Sequence, residues 1–152
     1  MSRIRPTFLW LARLSVAGLF LAACIAKIQD PESFALAVHR YRILPGDWVN
    51  VVAIVLPWIE LTTALSLLIA PARLRAAGAF LITGMLTVFT LAIAMNLFRG
   101  IEASCGCFST RADAAVSDGW NLLRNASLIW LSVLLFLEAF RSARHPHPPQ
   151  SP

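Results

Sequence analysis

The chain has 152 residues, of which 58% are hydrophobic and only 14% charged. A soluble chain of this length needs far more charge to cover its surface, so the composition excludes a soluble globular domain. The net charge of +5 does not point to nucleic acid, because the basic residues sit in short segments between apolar runs and form no amphipathic basic face.

Four apolar stretches reach the roughly 20 residues a helix needs to cross a bilayer. They lie near Phe8–Ala26, Trp48–Ala70, Ala76–Phe98 and Asn121–Phe140. Inside hydrocarbon a backbone must satisfy its own hydrogen bonds, which predicts an all-α membrane protein built as a four-transmembrane-helix bundle. Residues 1–140 then form one membrane domain. The tail 141–152, with its His-Pro-His-Pro-Pro run, has too little apolar content to pack and is expected to be disordered.

The first span ends at Cys24, three residues before Lys27 and on nearly the same helix face. As a functional thiol, Cys24 would relay electrons to or from other cysteines, with the Lys27 ammonium favouring its thiolate. As a structural residue, it is a small apolar group in a helix interface. Leu21-Ala22-Ala23-Cys24 also looks like a bacterial lipoprotein cleavage box, which would make Cys24 the first residue of a processed chain.

After the first span, Pro31-Glu32-Ser33 opens a short helix. Phe34, Val38 and Tyr41 recur on one of its faces, and Leu44-Pro45-Gly46-Asp47 breaks it. The pattern predicts an amphipathic helix in the first outer loop, lying on the surface and capping the bundle.

Glu60 falls near the middle of the second span. A charge there is costly, so the carboxyl must be neutral, paired or facing a wet cavity. It would handle protons or hydrogen-bond a quinone, or else pack against a Thr or Asn of a neighbouring helix. Thr83, Thr87 and Thr90 share a face of the third span that is suited to helix association, and Asn96 and Arg99 follow near its end. Arg124 and Asn125 open the fourth span. Arg124 would stabilise a thiolate, bind a quinone, or anchor in lipid headgroups.

The basic residues also set the orientation. Arg3, Arg5, Arg13, Arg73, Arg75, Arg141 and Arg144 lie in shorter segments than Lys27, Arg40, Arg42, Arg99, Arg111 and Arg124. Both termini are therefore expected in the cytoplasm.

Between the third and fourth spans lies the longest polar stretch separating two spans, and it carries Cys105-Gly106-Cys107. With Cys24 this makes one close pair and one odd thiol. As a disulfide the small ring is strained, and strain makes such a bond more oxidising. Gly106 eases closure by tolerating unusual backbone angles. As a dithiol the pair suits a soft metal such as Cu(I), though only two ligands are in evidence, and no metal site is assigned. An inert bridge or two unconnected thiols is the structural alternative.

Read together, these residues resemble the MauE family, within the wider group of MauE/DoxX-like redox-associated membrane proteins. The resemblance runs from about Leu11 to Phe140. It rests on Gly18, Lys27-x-x-Asp30-Pro31, Phe34 and Tyr41-Arg42-Ile43-Leu44-Pro45. It continues through Leu56-Pro57-Trp58-Ile59-Glu60-Leu61, Phe98-Arg99-Gly100, Cys105-Gly106-Cys107-Phe108 and Leu123-Arg124-Asn125. The family's loop usually reads C-G-C-F-G, and Ser109 stands here in place of the final Gly.

The resemblance implies a bacterial inner-membrane protein that assists maturation of the disulfide-rich small subunit of methylamine dehydrogenase beside a thioredoxin-like partner. On that reading Cys105 and Cys107 form the redox pair in the periplasm, Cys24 is a relay, and Glu60 and Arg124 serve a quinone or protons. The alternatives are a non-catalytic membrane assembly factor and metal handling through the C-x-C pair.

Overall fold

The apolar stretches form long helices in a computed structural model, which describes residues 6–99 and 118–144. The elements in chain order are α1 (Pro6–Gln29), α2 (Pro31–Arg40), α3 (Gly46–Ile69), α4 (Ala72–Phe98) and α5 (Asp118–Arg144). Four of the described helices, α1, α3, α4 and α5, are long and apolar enough to cross a membrane. All four begin ahead of the apolar stretches, because interfacial polar residues extend a helix without leaving backbone groups unpaired. The last, α5, continues through Ser142 to Arg144, so the first residues of the expected tail are its final turn. The rest of the tail lies outside the described residues, as do Cys105 and Cys107.

The short helix is present between the first two spans. Pro31 occupies its first turn, and the Asp30 carboxylate accepts a hydrogen bond from Ser33 N at 3.0 Å. Those Ser33 hydrogen bonds hold the Asp30 carboxyl below its ordinary range. After Tyr41 the chain reverses through Arg42, whose φ of 49° lies in the left-handed region. Pro45 then precedes α3.

Within the bundle, α4 packs along α5, α1 along α3, and α3 along α4, while α2 lies on α3 and touches α1. Small residues set these distances. Ala17, Ala64 and Ala79 are fully buried, which lets helices approach where lipid supplies no hydrophobic force between them. At Gly78 a Cβ would run into Ser66 Oγ and crowd the Thr63 carbonyl, so α3 and α4 cross as closely as they do only because that side chain is absent. Gly78→Leu is expected to splay this crossing at a cost of about 1–3 kcal/mol. A lowered unfolding midpoint in detergent is the check, and an unchanged midpoint would remove the crossing as a packing constraint.

The threonine face is adhesive at one position. Thr83 Oγ1 lies 2.8 Å from Ser132 Oγ on α5. Thr87 and Thr90 instead donate back to the Thr83 and Leu86 carbonyls of their own helix.

The spans run antiparallel in sequence order. Arg13 of α1 meets Glu138 of α5 at 2.5 Å, and the Gly78–Ser66 contact lies near the α3–α4 turn. The start of α1, that turn and the end of α5 therefore share one end of the bundle. The opposite end carries α2, the end of α4 and the start of α5.

Candidate functional site

Side chains on a helix lean toward its N-terminus, so Lys27, close to the end of α1, is directed back into the bundle. Its Nζ lies 2.5 Å from Glu60 Oε1 on α3. Both residues are only 1% exposed. The partner of Glu60 is thus a lysine from α1, and not the Thr or Asn that helix packing alone suggested. A buried carboxylate is tolerable when an opposite charge is hydrogen-bonded to it, and charge-assisted bonds of this kind are short.

Aromatic rings complete the setting. The ammonium lies 4.9 Å from the Phe34 ring centroid and 5.5 Å from that of Phe89. Both rings present an electron-rich face to the cation, an attraction that strengthens when water is excluded.

Beside the pair is a cavity of about 30 Å³, walled by Lys27, Glu60, Arg124 and Asn125 together with apolar residues such as Phe20 and Leu128. Arg124 is half-buried and belongs to this wall, so α5 turns it toward the interior. Asn125 and Asn96 are buried as well, at 2% and 3% exposure. Among the described residues, Glu60 Oε2, Asn125 Nδ2 and both amide atoms of Asn96 have no hydrogen-bond partner. Four helices thus direct polar groups into one end of the bundle interior.

Cys24 is fully buried, and its thiol donates to the Leu21 carbonyl at 3.2 Å. It precedes Lys27 by almost one turn, so the two share a face of α1. Cys105 and Cys107 belong to the segment joining α4 to α5. Among the described residues, no three His, Cys, Asp or Glu side chains gather as metal ligands would.

A larger apolar groove of about 320 Å³ opens between α2, α3 and α4, lined by Phe34, Val38, Tyr41, Leu56, Val88 and Phe89 among others. Phe89 also lines the smaller cavity. The rings of Phe34 and Phe89 therefore stand between the groove and the Lys27 ammonium.

Sequence reasoning missed the second ion pair. Arg13 read as a cytoplasmic anchor, yet it is 7% exposed and bound to Glu138, with its guanidinium 5.8 Å from the Trp10 ring. The available signal was Glu138 itself, a second acid inside an apolar span that required a cation at the same depth.

Fold and cluster together define a small four-span membrane protein with an ionisable interior. A family model described as "Methylamine utilisation protein MauE" matches residues 5–138. The chain is 38% identical over 134 residues to "Methylamine utilization protein MauE" of Paracoccus denitrificans, covering 87% of this chain and 70% of that protein. It is 33% identical over 129 residues to the protein of the same name from Methylophilus methylotrophus, covering 84% and 67% respectively. With the Paracoccus versutus protein of that name, identity is 39% over 125 residues, covering 81% and 65%. The chain belongs to the MauE family. No solved structure matches it.

Proposed function

We propose that this chain is an inner-membrane thiol–disulfide redox protein that exchanges electrons with a periplasmic thioredoxin-like protein through Cys105 and Cys107. The pathway served is methylamine utilisation, the role named for its relatives, through maturation of the disulfide-rich small subunit of methylamine dehydrogenase. The observation that carries the reading is the Cys105-Gly106-Cys107 spacing in the polar segment between α4 and α5. That segment is joined at both ends to the half of the bundle that holds Lys27, Glu60, Arg124 and Asn125.

Burial of Arg13 and Lys27 and the inward placement of half-buried Arg124 support the orientation. With Arg13, Lys27 and Arg124 turned inward, the remaining basic residues are Arg3, Arg5, Arg73, Arg75, Arg141 and Arg144 at one end. Arg40, Arg42, Arg99 and Arg111 remain for the other. The first group belongs on the cytoplasmic side.

The chemistry is thiol–disulfide exchange. One thiolate of the pair attacks the partner's disulfide, forming a mixed disulfide and releasing one partner thiolate. The second cysteine then attacks the mixed disulfide, which leaves a Cys105–Cys107 disulfide and a fully reduced partner. Two electrons have moved from this chain to the partner, and the reverse reaction passes through the same mixed disulfide. Glu60, paired with Lys27, is the interior group able to hold a proton during the exchange.

A membrane quinone would balance turnover by taking or giving two electrons and two protons. The cavity beside Glu60 and Arg124 is the smaller of two spaces, and the apolar groove lined by Phe34, Tyr41 and Phe89, which shares Phe89 with it, matches a planar ring in size and character.

Single-cysteine variants test the reading. With either Cys105 or Cys107 replaced by Ser, the resolving step fails, and one of the two variants should accumulate a reducible covalent adduct with the thioredoxin-like partner on a non-reducing gel. Absence of an adduct in both, with methylamine growth intact, would leave a membrane assembly factor. Copper retained by the purified wild type and lost in both variants would instead indicate metal handling.

A further inference from the structure

We propose that the groove between α2, α3 and α4 binds an anionic phospholipid, with one acyl chain lying in the groove and the phosphate held at its rim by Arg40, Arg42 and Arg99. The body of the groove is apolar, about 320 Å³ in volume, and walled by residues such as Val38, Leu56, Val88 and Phe89. An apolar chain fits such a surface, whereas a polar ligand would be buried there with few hydrogen-bond partners.

Depth selects a chain of the bilayer. At about 1.5 Å per residue, Leu56 stands about 15 Å along α3 from its start at Gly46, and Val88 about 15 Å along α4 from its end at Phe98. From the bundle end that carries α2, the groove therefore reaches about half of the roughly 30 Å hydrocarbon core, the depth of one leaflet.

Charge selects the headgroup. Tyr41, Ile43 and Leu44 line the groove at that end, and Arg40 and Arg42 flank Tyr41 in the chain with their side chains exposed. Arg99, also exposed, caps α4 two turns beyond Ala92 of the wall, so the two share a helix face. Asp30 and Glu32 lie at the far end of α2, and Asp47 of α3 pairs with none of the three arginines. Unpaired guanidinium groups beside a chain-deep groove suit a phosphate, which they bind by charge and by paired N–H donors. A neutral quinone would fill the same groove but offers the arginines no phosphate, so the rim distinguishes the two occupants. The inference does not rest on the redox reading, and either can fail without the other.

Native mass spectrometry of the full chain, with phosphatidylglycerol or phosphatidylcholine of identical acyl chains added in detergent, tests the site. The wild type is expected to retain phosphatidylglycerol over phosphatidylcholine by roughly tenfold or more, since each arginine near an anionic headgroup contributes about fivefold. Combining Arg40→Gln, Arg42→Gln and Arg99→Gln, all at exposed positions, should bring the two lipids level. Val88→Trp narrows the groove from an exposed wall position and should weaken retention of phosphatidylglycerol with the arginines intact. Equal retention of both lipids by the wild type, including a wild type that holds ubiquinone in their place, would overturn the proposal. A preference that survives the triple variant would overturn it as well. Retention unchanged in Val88→Trp would assign the lipid to surface charge alone and remove the groove from the site.

Discussion

Replacing Lys27 with Met, with Glu60 left in place, is expected to destabilise the bundle by about 3–5 kcal/mol. The substitution keeps most of the side-chain volume and removes only the charge, so the loss reports an unpaired carboxylate in an apolar interior. Glu60 is 1% exposed and its Oε1 accepts the Lys27 bond. Without the ammonium it must take up a proton or draw in water, and either reshapes the α1–α3 interface. The double variant Lys27→Met with Glu60→Leu should recover most of the stability, because apolar groups of similar volume replace a buried pair at little net cost. Unfolding midpoints in detergent for the four members of this cycle give the coupling directly. Equal stability of wild type and Lys27→Met would mean that the pair does not hold the helices together. Glu60→Gln alone would leave the buried Lys27 ammonium without its counter-charge, so proton handling is separated from packing by combining it with Lys27→Met, which leaves no charge unpaired. In that double variant membrane abundance should hold while activity falls. Parallel loss of both would make Glu60 a packing residue.

The spans were legible in the sequence because apolar length is nearly all a membrane helix requires. The short helix was legible for a different reason, since Pro31 and the Leu44-Pro45-Gly46-Asp47 breaker mark its ends locally. What the sequence concealed was which way each membrane helix faces. A soluble helix announces its buried side by its polar side, whereas these spans are apolar nearly all round and carry little such contrast. Lys27 and Glu60 are 33 residues apart, and no periodicity links them. Arg13, Lys27 and Arg124 all read naturally as residues of the membrane surface, yet all three turn inward.

Charge accounting would have recovered both pairs, one by depth and the other by elimination. Glu60 and Glu138 are the acids inside the apolar stretches, and Arg13 and Lys27 are the bases inside or beside the first. In an antiparallel bundle, Arg13 near the start of α1 lies level with Glu138 near the end of α5. Lys27 is then left for Glu60. The cavity and the unpaired amides of Asn96 and Asn125 were not recoverable this way, because they depend on how side chains from several helices fail to fill a common space.

Cys105→Ser and Cys107→Ser are each expected to abolish methylamine-dependent growth while leaving membrane abundance unchanged. The two effects separate because different parts of the chain carry them. Stability resides in the helices, in the Gly78–Ser66 crossing and in the ion pairs Arg13–Glu138 and Lys27–Glu60. A bond closing so small a ring between α4 and α5 restrains little of the unfolded chain and adds little to that total. Function, on the redox reading, needs both sulfurs, one to attack the partner and one to resolve the mixed disulfide. Cys24→Ser divides the remaining ground. Its thiol is fully buried and bonded to the Leu21 carbonyl, and serine at that position keeps the hydrogen bond. Lost growth, with the partner adduct still trapped when Cys105 or Cys107 is also replaced, would place Cys24 downstream of the pair as a relay. Unchanged growth would leave Cys24 as part of the helix interface. Full growth in both Cys105→Ser and Cys107→Ser would end the redox reading, and the conserved abundance would then describe a scaffold whose thiols are incidental.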